Sequence, residues 1–435
     1  MLKIFSQDKA AFGLDISDVS LKLIQFSGAN RDILAYSDDV LPKDIVSADN
    51  IKDPKALAVV IKKAVSHPKF GKVTTPYVVA SIPETKCFVR VISMPAMSEQ
   101  EAREAVPWEA EAYIPIPIGQ VYLDWTILPV PIKYNKMTVL ITAAPKDYID
   151  NFTKVLKQAG LAPLALEVES QATARSLVAD SKETVLILDI DTARASFIIY
   201  DAGTLQFTSS IPIAGNVFTE SIARSLGVSS EEAEKLKREN GLDESKDEGK
   251  VRKALISILS NLVTEIKNTI RFYEEHSPAE KKISRILLSG SSSKLKHLPS
   301  FLAEMIAAGT DEHPLRSASG LKVELGDPWA KILQKRQVAP ISREDSLSYA
   351  TAVGLALRED IKDEDPRVRA QAAASIGEYG EKAADVVPEL IELLNDSSLS
   401  VRFSTRLALA KIKTPEALEA LKKNKKGVAA ESGTV

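Results

Sequence analysis

The 435-residue chain has one cysteine, four histidines and almost no net charge. A lone cysteine, Cys87, excludes internal disulfides and cysteine-based zinc clusters, and it fits a reducing compartment. It stands in an apolar, strand-like run, where a small buried hydrophobe is the expected role. His67, His276, His297 and His313 show no metal-ligand spacing. Lysine and arginine number 56 against 59 acidic residues, a balance of -3 that gives no nucleic-acid footprint. No apolar run reaches the ~20 residues that span a membrane. The N-terminal MLKIFSQDKAA has no signal-peptide core. The phosphate-loop pattern G-x-x-x-x-G-K-S/T is absent, and no Ser-His-Asp signature stands out. A soluble, cytoplasmic protein of two or three domains is expected. Docking on a membrane partner is left open.

What is present is a duplication. Ala11 to Phe26 reads AFGLDISDVSLKLIQF, and Val185 to Tyr200 reads VLILDIDTARASFIIY. Each is an apolar strand ending in Asp-Ile, a short polar turn and a second strand. The paired aspartates are Asp15 and Asp189. A strand–Asp–turn–strand hairpin opening each of two lobes is how the actin/Hsp70-type fold grips a nucleotide, with turn amides on the phosphates and the aspartates on hydrated magnesium. The fold class expected is α/β, a two-lobed actin/Hsp70-like architecture with an inserted subdomain and a small all-α tail.

The organisation follows from periodicity and punctuation. Residues 1–177 form a first lobe, with an inserted strand–helix–strand–strand unit over about 84–145. Its helix opens at Ser98 with Glu101 three residues on, a capping-box pattern, and Pro107 predicts a kink or a break. Residues 178–358 form a second lobe, whose long helix from Val251 to His276 carries one apolar stripe. Residues 359–423 repeat a Val-Arg pair 33 positions apart (Val368-Arg369, Val401-Arg402) in two helix pairs that resemble HEAT repeats. Two repeats bury little alone, so they are expected to pack on the main body or on a partner. Residues 424–435 are expected to be a disordered tail.

Candidate cofactor-binding residues are Asp15, Ser17, Ser20, Lys22, Asp189, Gly215, Glu234, Lys237, Gly290, Ser291 and Ser292. Ser17 and Ser20 offer hydroxyls and Lys22 a charge to a phosphate. Any hairpin turn could equally use Ser and Asp. Glu234 and Lys237 lie three apart on one helix face, suited to ribose hydroxyls or to an ordinary surface ion pair. Gly290, Ser291 and Ser292 form a small-residue turn suited to adenine, and equally to a plain strand-to-helix turn. Asp15 and Asp189 are the magnesium candidates. No catalytic residue is assigned.

Taken together, these segments resemble the PilM family, actin-like type IV pilus assembly proteins related to the cell-division protein FtsA. The resemblance runs from about Phe12 to Arg358. Its most specific pieces are the inserted unit from Val78 to Leu128, then SSEEAEKLKRENGL, VTEIKNTIRFYEEH and YATAVGLALR. It implies a cytoplasmic protein, peripheral at the inner membrane, that binds the short N-terminal cytoplasmic peptide of PilN and forms a collar at the base of the pilus machine. The peptide groove is expected between the first lobe and the insertion. Other platform proteins are expected partners, and a homo-oligomer is left open. The HEAT-like tail departs from the family pattern and reads as an added protein-binding module.

Other departures bear on the cofactor. The family carries glycine where this chain has Ser17, Asp191, Ala214, Ser291 and Ser292. Glycine lets backbone approach phosphate or adenine, often with positive φ. Asp18 and Asp191 add negative charge where a triphosphate would lie, and one like-charge contact at ~4 Å and a dielectric of ~20 costs about 4 kcal/mol. ATP and magnesium are the cofactors of the fold, but here binding is expected to be weak or absent, without significant turnover. The alternative is an active nucleotide-driven enzyme or an FtsA-like polymer. A kinase needs an aspartate base, and Glu167 and Glu169 in the connecting segment show no substrate pocket. FtsA proteins end in an amphipathic membrane-targeting helix, whereas this chain ends in alanine-rich repeats.

Overall fold

The computed structural model describes residues 11–27, 32–128, 135–179, 183–201, 203–276, 282–308, 321–330, 332, 340–358, 366–377 and 380–431. Two of its sheets share one strand order. In the first, Phe12–Ile16, Ser20–Phe26 and Ile33–Val40 run antiparallel in succession, while Tyr77–Ile82 and Ala162–Val168 add in parallel beyond the first strand. In the second, Val185–Ile190, Ala195–Asp201 and Thr204–Ile211 make the meander, and Arg285–Ser289 and Lys322–Leu325 the parallel pair. Apart from a two-residue edge strand, Phe70–Gly71, that extends the first sheet beyond Ile33–Val40, both read 3-2-1-4-5, so the fold is the duplicated, actin-like one. The inner parallel strands are covered on both faces and therefore read as apolar runs. All six residues of Tyr77–Ile82 are buried.

Helices cover the sheets through their apolar stripes. Pro54–Ser66 starts behind Asp53, whose side chain accepts from the amides of Lys55 and Ala56. The 27-residue Lys250–His276 helix buries Leu255, Leu259, Leu262, Ile266 and Ile270 against the second sheet. The lobes meet at two small helices, Glu169–Leu177 and Ala350–Ala356. A Cβ on Gly354 would lie 1.8 Å from the Ala172 carbonyl oxygen, and one on Gly13 2.1 Å from that of Ala352. Backbone therefore touches backbone at the junction. Beside it, the buried Glu167 takes hydrogen bonds from both guanidinium nitrogens of Arg175, with Arg358 at 3.6 Å.

The insertion is a separate three-stranded sheet, with Lys136–Pro145 between Phe88–Pro95 and Val121–Ile127. Its helix, Glu99–Glu111, has the capping box that the sequence predicts, formed by Ser98 and Glu101. Of the kink or break expected at Pro107, the break does not occur: Ala102, Val106 and Ala110 pack on the strands and hold the helix across the missing amide.

The last helices, Pro366–Gly377, Val387–Glu392, Leu399–Ile412 and Pro415–Glu431, share one core, onto which Leu164 of the first lobe packs. The repeat is thus seated on the main body. Both repeat arginines converge on one turn. Arg369 holds the Asp396 carboxylate at 2.8 and 2.9 Å, and Arg402 donates to the Asp396 carbonyl. The stretch from 424, read from sequence as a disordered tail, continues the helix to Glu431, as its lysines and alanines favour. Residues 432–435 lie outside the described residues. No helix among the described residues is long and apolar enough to cross a membrane.

Candidate functional site

The two hairpins bring their turns to one cleft, lined by Asp15, Ser17, Asp18, Asp49, Glu169, Asp189, Asp191, Thr192, Arg194 and Thr351, among others. In the first hairpin the register sets Asp15 directly opposite Lys22. Asp15 accepts the Ser81 hydroxyl at 2.8 Å. Burial raises its pKa, and Lys22 works against that. Lys22 is only 5% exposed, and its ammonium donates to Ser20 Oγ at 2.8 Å. Ser20 Oγ in turn lies 3.1 Å from Ser17 Oγ. The three side chains expected on a phosphate are thus bonded to one another.

The same register in the second hairpin sets Asp189 opposite Ser196, so no cation faces it across the strand pair, although Lys22 and Arg194 act on it from elsewhere in the cleft. Its Oδ1 is buried without a hydrogen-bond partner. Burial, then Asp191 and Asp15, push its pKa up to about 8. Behind it Gly290 sits at φ +86°, where a Cβ would come within 2.4 Å of Asp189 Oδ1. That glycine is required by space as well as by conformation.

The five positions where glycine is replaced are not strained. None of Ser17, Asp191, Ala214, Ser291 or Ser292 has positive φ, so the replacements change space and bonding. The Asp191 carboxylate accepts the Ser291 amide at 3.2 Å and its hydroxyl at 2.7 Å, while Ser292 Oγ donates to the Asp191 carbonyl at 2.9 Å. A Cβ on Gly215 would meet Ser292 Oγ at 2.3 Å. The phosphate-side and adenine-side turns are therefore tied together.

Asp18 behaves likewise. Its two carboxylate oxygens accept the amides of Ala48 and Asp49, both at 2.9 Å. The expected repulsive charges are each held by donors, which offsets part of their cost. Glu234 and Lys237 do pair with each other, at 2.6 Å. They also close on Thr219, at 2.6 and 2.8 Å, and Lys237 donates to the Gly215 carbonyl at 3.1 Å. This links the ribose-side pair to the Gly215 turn through a filled network.

Of the charged residues lining the cleft, Arg194 and Asp49 were not singled out in the sequence, and Glu169 was weighed only as a base. Arg194 ion-pairs with Asp49, which is buried. Glu169 opens the inter-lobe helix, accepts the Glu84 amide at 3.1 Å and has its pKa raised well above the usual range by burial. The sequence did carry one signal. Aligned on the aspartates, Arg194 stands where the first turn has Ser20, so each hairpin has a basic residue, displaced by two places. Glu167, weighed as a base, is instead a structural carboxylate. Burial alone would raise its pKa, and Arg175 and Arg358 more than reverse that.

Six carboxylates face Arg194, with Lys22 close behind. The free acceptor on Asp189 fits a hydrated cation, although among the described residues no three acidic, histidine or cysteine side chains form a metal-holding group.

A family model described as type IV pilus assembly protein PilM matches residues 13–360, and a model of HEAT repeats matches residues 355–426. Among solved structures, a PilM-PilN type IV pilus biogenesis complex is similar at 28% identity, covering 80% of this chain and 98% of that one, with a TM-score of 0.64. The ethanolamine utilization protein EutJ from Carboxydothermus hydrogenoformans matches at 13% identity over 80% of this chain and 89% of its own, with a TM-score of 0.47. MreB5 of Spiroplasma citri bound to AMPPNP matches at 13% identity over 72% and 95%, with a TM-score of 0.41. By the family match across both lobes and the insertion, this chain belongs to the PilM family of type IV pilus assembly proteins, with HEAT repeats following its second lobe.

Proposed function

We propose that this chain is a structural adaptor of the type IV pilus platform at the inner membrane. It holds the N-terminal cytoplasmic peptide of a PilN-like membrane protein, and its cleft takes ATP weakly or not at all. The similarity at 28% identity to 98% of a chain from a PilM-PilN complex carries the partner. The lining of the cleft supports the second part. Its serines, Lys22 and Arg194 already bond to protein, and the turn acids Asp18 and Asp191 line the cleft beside them. If magnesium nucleotide enters, Asp15 and Asp189 are the residues to hold its hydrated cation.

The groove for the peptide is placed between the first lobe and the insertion. The two are latched there: Tyr122 donates to Asp150 at 3.0 Å, and Lys146 donates to the Gly119 carbonyl while lying over the Tyr122 ring. The insertion also exposes Trp108 (78%), the kind of aromatic side chain that anchors partners. Pull-down with the N-terminal cytoplasmic peptide of the neighbouring pilus membrane protein tests the adaptor, and no capture by folded protein overturns it. Titration calorimetry with Mg-ATP tests the cleft. A micromolar dissociation constant, about -8 kcal/mol, overturns the nucleotide part.

A further inference from the structure

Both cleft turns are bonded to a third loop. Strands Val46–Ser47 and Asn50–Ile51 form a hairpin whose central residues, Ala48 and Asp49, have φ of +47° and +58°. Tight hairpins take this conformation with glycine or asparagine. Here an alanine and an aspartate hold it, and such strain persists only where the surroundings fix it. Asp18 of the first turn supplies that restraint by accepting both amides.

Asp49 then reaches in two further directions. One oxygen pairs with Arg194 of the second turn. The other accepts the Thr85 hydroxyl at 2.5 Å, at the root of the insertion. Next to it, Lys86 donates to Asn50 at 2.8 Å. Thr208, on the third strand of the second sheet, donates to the buried Glu84. Asp49 thus joins the first lobe, the second lobe and the insertion in a water-poor setting, with side-chain exposures of 4% for Asp49 and 18% for Arg194.

We propose that Arg194 and Asp49 form a built-in clamp that closes the cleft without nucleotide, and that Asp49 relays the closed state to the insertion through Thr85. The guanidinium ties the second turn to the 46–51 hairpin, and Asp18 ties that hairpin to the first turn, a bridging task that a bound polyphosphate would otherwise perform. The clamp stands apart from the adaptor reading, whereas its meaning for peptide binding rests on that reading.

The test is amide hydrogen exchange on the full chain without nucleotide or peptide, so a missing partner cannot influence it. Arg194→Met is expected to raise exchange at least tenfold in residues 46–51 and 84–95. Thr85→Val is expected to raise it in 84–95 alone, leaving 46–51 within twofold of wild type. If Arg194→Met leaves both segments within twofold of wild type, the clamp is overturned. If Thr85→Val leaves 84–95 unchanged, the relay is overturned. Should Arg194→Met fail to fold, the isosteric Asp49→Asn carries the same expectation and the same refutation.

Discussion

The two hairpins share a backbone but not an electrostatic design. In the first, the buried aspartate faces a buried lysine across the strand pair; in the second, it faces a serine and keeps an unpartnered oxygen. Each turn also carries an acid, and each acid bonds elsewhere: Asp18 to the strained hairpin at 48–49, Asp191 to Ser291. Duplication of a motif therefore establishes geometry. Charge balance is set one residue at a time, by what the register places opposite the aspartate.

Removing the counter-ion should break the contrast most strongly. Lys22→Met leaves Asp15 as a buried carboxylate with no facing cation, and a loss of about 3 kcal/mol is expected in urea unfolding at pH 7. A loss under about 1 kcal/mol would mean that the hairpins are electrostatically alike after all.

Asp189→Asn should act in the opposite direction. Because the folded pKa of Asp189 is raised from 3.8 to about 8, the stability it contributes is complete below pH ~4 and is lost as pH rises toward 8. The asparagine, which cannot ionise, is expected to gain several kcal/mol over wild type at pH 8, about 1.4 kcal/mol for each unit by which the pKa is raised, and to match it at pH 4. Thermal melts at the two pH values would show this, and a pH-independent difference would refute it.

The turn acids sharpen the comparison further. Asp18→Ala and Asp191→Ala should each cost about 1–2 kcal/mol, but only Asp18→Ala should loosen residues 46–51 in hydrogen exchange. The smallest effect is expected at Ala48→Gly, a gain of about 0.5–1 kcal/mol from relieving a positive φ, seen as a raised Tm.

Much of the architecture was legible in the sequence because it depends on local pattern. The repeated Asp-Ile hairpins, the Ser98–Glu101 box, the stripe of the long helix and the paired Val-Arg of the tail each declare themselves within a few residues. Lys22 could be placed because it lies on the same hairpin as Asp15. The clamp was not legible, because Asp49 meets Arg194 at a separation of 145 positions and Asp18 meets the 48–49 turn at 30 and 31. The charge of Asp18 was visible in the sequence, whereas the amides of Ala48 and Asp49 that it accepts were not. Pro107 misled for a related reason: propensity pointed to a kink or a break, and packing on the insertion's own sheet overrode the break.

The close crossing at Gly354 and Ala172 gives the molecule an axle with no tread. Where side chains interdigitate, a helix pair can creep by rotamer changes. Here main chain rests on main chain, which leaves no room for side-chain adjustment at that crossing. A single added methyl at position 354 would act as a wedge at the narrow end of a long lever, displacing the rim of the cleft by more than it displaces the pivot. Residues that touch neither turn thereby set how far apart the two turns stand.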